Sequence, residues 1–145
     1  MPRKFIDTSA LVKLYVAEPE SPAVQAEIII ANEVLLSRWT IVEFRSAIYG
    51  LVRQNRFSQA DAAHGLSQFD ADLPNFGVLP VNEVTLQRAE ALLDLHAITD
   101  GLRSLDAVQL AVALEEHGVR PIDAVVTTDQ IMRRVALASG MVVAP

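Results

Sequence analysis

Short apolar runs alternate with longer helical stretches along this chain, and that alternation constrains its fold more than any other feature. Runs at about Lys4–Asp7, Val34–Ser37, Gly77–Val81, Asp123–Thr127 and Met141–Ala144 read as strands. Between them, helical periodicity covers about Ser9–Val16, Pro22–Asn32, Thr40–Gln54, a segment capped by Ser58 that stops before Pro74, Asn82–Ile98, Ser104–Gly118 and Asp129–Ser139. Asn82 and Ser104 are the expected caps of the fifth and sixth helices, and Gly118 suits the left-handed position past a helix end. Strands joined through helices pair in parallel and need cover on both faces. The expectation is therefore a three-layer α/β/α fold around a mostly parallel sheet of about five strands. No repeat, low-complexity tract or linker divides residues 1–145, which read as one domain.

Composition narrows the function classes. The chain is 51% hydrophobic, ample for a core, yet no stretch approaches the roughly 20 apolar residues of a membrane span. The N-terminus reaches Asp7 too soon to read as a signal peptide, and the absence of cysteine excludes disulfides and thiolate metal sites. Both agree with a cytoplasmic protein. A net charge of −6 argues against a general nucleic-acid coat, but not against an enzyme that grips a nucleic acid locally. Ten of the 12 basic residues are arginine, the side chain better suited to bidentate phosphate contacts.

Four acids, Asp7, Glu43, Asp106 and Asp129, are placed where such a fold can gather them. Asp7 ends the run Phe5-Ile6 and Asp129 follows Ala124 to Thr128, so both fall at the carboxyl end of a strand, the edge where open α/β sheets bind ligands. Either one also reads as a helix cap, although Thr8, Ser9, Thr127 and Thr128 are competing caps that need no charge. Glu43 lies off the apolar stripe of Ile41, Phe44, Ile48, Leu51 and Val52 and reads as a solvated glutamate by that pattern. Its own side carries the small residues Thr40, Ala47 and Gly50, which suggests that another element approaches and covers it. Asp106 opens a helix that is apolar nearly all round and therefore buried, where the helix dipole favours an acid in the first turn. Carboxylates gathered together repel unless protonated or neutralised, so their joint placement points to a divalent cation.

The motifs resemble those of PIN-domain nucleases, and among these the small VapC-type toxins of toxin–antitoxin pairs. The resemblance rests on Phe5-Ile6-Asp7-Thr8-Ser9, Thr40-Ile41-Val42-Glu43, Leu105-Asp106-Ala107-Val108-Gln109-Leu110-Ala111 and Val125-Val126-Thr127-Thr128-Asp129, in order along essentially the whole chain. It implies a strand order of 3-2-1-4-5 and one or two Mg²⁺ or Mn²⁺ ions held directly or through water by Asp7, Asp106 and Asp129. Glu43 would then be a base or a residue outside the immediate ligands, with Thr8, Ser9, Thr40 and Thr127 orienting carboxylates or waters. The implied chemistry is hydrolysis of RNA phosphodiesters, and the implied partners are a second copy of the chain and an antitoxin peptide. Asp123 lies at the far end of its strand and Asp100 in a loop before Ser104, so neither is preferred over Asp129.

Phosphate contacts are sought among Arg103, Lys13, Arg45, Arg53, Arg56, Arg133 and Arg134, although scattered arginines on helices are commonly a solvated face. His64, His96 and His117 have no ligand spacing, and Trp39, Phe44, Tyr49 and Phe57 read as core residues. The apolar run Ile28-Ile29-Ile30 needs cover. An alternative function is a PIN-like module that binds RNA or protein without catalysis. A phosphohydrolase with Asp7 as nucleophile is disfavoured because Ser9 stands where that chemistry places a second acid.

Overall fold

Five parallel strands form one sheet in the order β3-β2-β1-β4-β5 in the computed structural model, which describes residues 2–145. The strands are β1 (Arg3–Ile6), β2 (Glu33–Ser37), β3 (Gly77–Leu79), β4 (Ala124–Val126) and β5 (Val143–Ala144). Phe5 pairs with Leu35 on one side and Val125 on the other, which makes β1 the centre of the sheet. All four pairings are parallel. Each strand therefore ends at the same edge.

Successive side chains on a strand point to opposite faces, and this alternation builds two cores. Phe5, Leu35 and Val125 face one layer, with Leu92 of α5 (Glu83–Asp100), Leu110 of α6 (Ser104–Val119) and Val135 of α7 (Gln130–Ala138). Ile6, Leu36 and Val126 face the other. There they meet Leu11 of α1 (Thr8–Tyr15), Val24 of α2 (Ser21–Ile29), Phe44 of α3 (Arg38–Arg53) and Phe69 of α4 (Gln59–Asp72). Tyr15 packs edge-on against both Phe44 and Phe69, closing the second layer.

Several local expectations are corrected. Arg103, not Ser104, is the residue before α6, and Ser104 is its first helical residue. Gly118 stays inside α6, which ends where Arg120 turns extended so that its carbonyl accepts from Arg3. The left-handed glycines past helix ends are instead Gly101 (φ 73°), after α5, and Gly140 (φ 87°), after α7. Consequently Asp100 is the last residue of α5, hydrogen-bonded to His96, rather than a loop residue. α2 ends at Ile29 because Asn32 must turn back to donate to the Pro2 carbonyl. Trp39 and Tyr49 are exposed, whereas Phe44 is core and Phe57 partly buried. As expected, Asp123 lies at the amino edge, where it accepts from the Arg3 backbone N–H, away from Asp7 and Asp129.

Candidate active site

The carboxyl edge of the sheet collects all four sequence-identified acids. β1 delivers Asp7 and β4 delivers Asp129, each at the residue before the following helix. Both also cap those helices: Asp7 accepts from the Ala10 N–H at 3.0 Å, and Asp129 from those of Ile131 and Met132 at 2.8 and 2.9 Å. At Asp129 the cap leaves the second oxygen over, whereas both Asp7 oxygens already accept from neighbouring groups. Asp129 uses Oδ1 for its cap and turns Oδ2 toward the edge; Asp7 offers Oδ2 to the Thr127 hydroxyl at 2.6 Å.

Thr127 fixes these two acids relative to each other. Its hydroxyl donates to Asp7 and accepts from the Asp129 N–H at 3.1 Å. Ser9 adds a second link, donating to Asp7 Oδ1 at 2.8 Å while its oxygen accepts from the Thr128 N–H. Asp7 is only 3% exposed. Burial pushes its carboxyl up to about 6 against three hydrogen bonds that pull it down, and the Asp129 charge adds to the rise.

Glu43 and Asp106 complete the row from the helices. Glu43 is half-buried, and Gln109 of α6 crosses to it, donating from Nε2 to Glu43 Oε1 at 2.6 Å and to Thr8 Oγ at 2.7 Å. The Gln109 carbonyl oxygen accepts from Thr40 at 3.0 Å. The small-residue reading of α3 thus holds at Thr40, where α6 comes close. It fails at Gly50, where an added Cβ would meet only Arg53 of the same helix. Burial, followed by the Asp106 charge, raises the Glu43 carboxyl; burial, followed by the Asp129 charge, raises that of Asp106. Gln109 was not singled out from sequence. The available signal was a glutamine in a helix otherwise apolar nearly all round, three residues from Asp106.

Arg103 spans the open side. Its Nη2 lies 3.2 Å from Asp106 Oδ2 and 3.1 Å from Asp129 Oδ2. Beside it, Glu43, Arg103, Ser104, Leu105 and Asp106 line a cleft of about 350 Å³. Most other basic candidates are engaged elsewhere. Lys13 pairs with Glu18 and Glu20, Arg45 grips Asp70, and Arg134 approaches Asp100. Arg38, exposed at the first turn of α3 on this same edge, is a basic residue that sequence reasoning passed over.

The donor set suits a hard cation: carboxylate oxygens with three of the four acids pushed toward protonation by burial and mutual repulsion. It is a row rather than a closed cage. Among the described residues, no three acidic or histidine side chains close around one point.

The PIN-domain family model matches residues 4–138. The chain belongs to the PIN-domain family. Solved structures share the fold at low sequence identity. VapC20 of Mycobacterium tuberculosis, described as a sarcin–ricin loop cleaving toxin, superposes with a TM-score of 0.70 at 20% identity, over 98% of this chain and 99% of that one. FitAcB from Neisseria gonorrhoeae gives 0.72 at 20% identity, covering 98% and 96%. VapBC-5 of M. tuberculosis, a member of the VapBC family of toxin–antitoxin systems, gives 0.65 at 18% identity, covering 99% and 98%. A search of curated protein sequences gives no match.

Proposed function

We propose that this PIN domain is a metal-dependent endoribonuclease, the toxin of a toxin–antitoxin pair, with residues 1–145 forming one nuclease unit. The observation that carries this reading is the row of four acids drawn from four separate segments to one sheet edge, with Asp7 buried and its carboxyl raised to about 6. Isolated charges are not kept in such surroundings without a counter-charge. Toxin relatives with the same fold over nearly their whole length support the biological setting.

Asp7, Asp106 and Asp129 would hold Mg²⁺ or Mn²⁺, directly or through water. When bound, that cation supplies Lewis acidity toward water and phosphate. The chain's own residues do the rest. Thr127 and Ser9 keep Asp7 oriented through its two oxygens. Gln109 and Thr8 hold Glu43 with Oε1 engaged, which leaves Oε2 to take a proton from an attacking water. Arg38 and Arg103 flank the edge and supply positive charge for the RNA backbone. Against a net charge of −6, that binding is modest and falls steeply with salt.

Two protein partners belong to this reading. Val84, Leu95 and Ile98 expose a stripe of α5 suited to a second copy of the chain. A cognate antitoxin segment is the expected inhibitor, and the apolar hollow between α3 and α4, lined by Tyr49, Val52, Ala62, Ala63 and Leu66, offers it a surface. No helix among the described residues is long and apolar enough to cross a membrane, and the proposed site of action is the cytoplasm.

The test is RNA cleavage with Mg²⁺ or Mn²⁺ by the parent, Asp7→Asn and Asp106→Asn, with folding checked by circular dichroism. Cleavage by the parent and its loss in both folded variants is the expected result. Equal cleavage by all three, or none by the parent with either metal, overturns it.

A further inference from the structure

The acidic row already contains a cation, and it is the chain's own. Arg103 Nη2 is shared between Asp106 Oδ2 and Asp129 Oδ2, and Arg103 Nε also donates to Asp106 Oδ2 at 3.2 Å. These two carboxylates repel each other, and the guanidinium stands between them. Among the described residues, every hydrogen bond from this side chain goes to one of these two acids. Its side chain is nonetheless 67% exposed, and it contributes no cap to α6. Arg3 is the contrast: its guanidinium is buried and bonded to Glu33, Glu116 and two backbone carbonyls, a fixed structural strut. Arg103 has a strut's bonds without a strut's burial, so it can leave by side-chain rotation alone.

We propose that Arg103 is a built-in counter-ion that occupies the space between Asp106 and Asp129 in the metal-free protein and competes with the divalent cation for them. This rests on the metal reading given above. Affinity for the metal is then set below what the acids alone would give, because each binding event must displace a guanidinium. Removing that side chain removes the competitor and leaves the two carboxylates facing each other uncompensated, a state that a dication relieves more strongly.

The experiment is Mn²⁺ binding to the full-length protein, by calorimetry and by electron paramagnetic resonance of free Mn²⁺, for the parent, Arg103→Ala and Asp106→Asn. Arg103→Ala is expected to tighten Mn²⁺ binding roughly three- to tenfold, the range of one or two exposed ion pairs. In the parent, titration with diamagnetic Mg²⁺ is expected to move the Arg103 Nε–H resonance toward that of a free arginine as the site fills. If the parent binds Mn²⁺, Asp106→Asn binds it less, and Arg103→Ala binds it no more tightly than the parent, the counter-ion role is overturned while the metal site stands. If neither the parent nor Arg103→Ala binds Mn²⁺, the metal site itself is wrong and this inference goes with it.

Discussion

Gln109 Nε2 lies 2.6 Å from Glu43 Oε1, and through that bond a buried helix holds an acid on a helix from the opposite layer. The same amide accepts from Thr40, so Gln109 is the polar hinge pin between α6 and α3. Replacing it by leucine leaves Thr40 and Glu43 short of partners in a largely buried setting. Gln109→Leu is expected to lower stability by about 1–3 kcal/mol. It also removes a bond that lowers the Glu43 carboxyl, so that carboxyl rises further. Urea unfolding and the pH dependence of RNA cleavage measure the two effects; a neutral change in both would deny Gln109 this role.

Asp7 makes the metal-free protein sensitive to pH in an unusual direction. Its carboxyl is raised by burial from an ordinary 3.8 to about 6, so the folded state keeps a proton that the unfolded chain has already released. The stability associated with that proton is complete below about pH 4 and is lost as pH rises through 6. Asp7→Asn, which carries no charge to bury, should therefore be more stable than the metal-free parent at pH 7.5, by on the order of 2 kcal/mol. At pH 5 the advantage should shrink. Denaturant midpoints of both proteins at the two pH values are the measurement, and an equal gap at both would contradict it.

Arg3 anchors the other end of the sheet. Its buried guanidinium satisfies Glu33, Glu116 and the carbonyls of Arg120 and Pro121. Arg3→Met strands these partners and is expected to cost on the order of 3 kcal/mol in unfolding experiments. Cleavage per folded molecule should be unchanged, because the cluster sits at the amino edge and the acids at the carboxyl edge.

Gly101 sets the turn between α5 and α6. Its φ of 73° is a conformation that disfavours a side chain, and it stops α5 two residues before Arg103. Gly101→Ala is expected to lower the thermal midpoint through a loss of about 1 kcal/mol, with the Arg103 Nε–H resonance displaced as well. An unchanged midpoint would mean the turn tolerates a Cβ.

The sheet was legible because its strands are short, β-branched or aliphatic, and separated by unmistakable helical spacing; Phe5-Ile6 and Val125-Val126 could hardly be anything else. Asp7 and Asp129 were legible for the same reason, since strand ends fix their position. Glu43 was ambiguous because periodicity reports only what its own helix buries, and its cover comes from Gln109, sixty-six residues away in sequence. The basic residues misled most. Lys13 and Arg45 look identical in sequence to Arg103, and only the fold shows that the first two tie local elements together while the third meets the acids. Ser104 and Gly118 carry strong intrinsic preferences for helix ends, yet the chain gave those positions to Arg103 and Arg120, whose long side chains reach carboxylates on neighbouring segments.

The centre of the sheet joins the first strand of the chain to one of the last: β1 is bordered by β4, and Asp7 receives its shortest hydrogen bond from Thr127, 120 residues downstream. During translation, then, a chain emerging from the ribosome carries Asp7 and Glu43 long before Thr127 and Asp129 exist to join them. For the nuclease proposed here, that order of synthesis is a safeguard. The row of acids cannot close, and RNA near the nascent chain is spared, until the segment that carries Thr127 and Asp129 has been made.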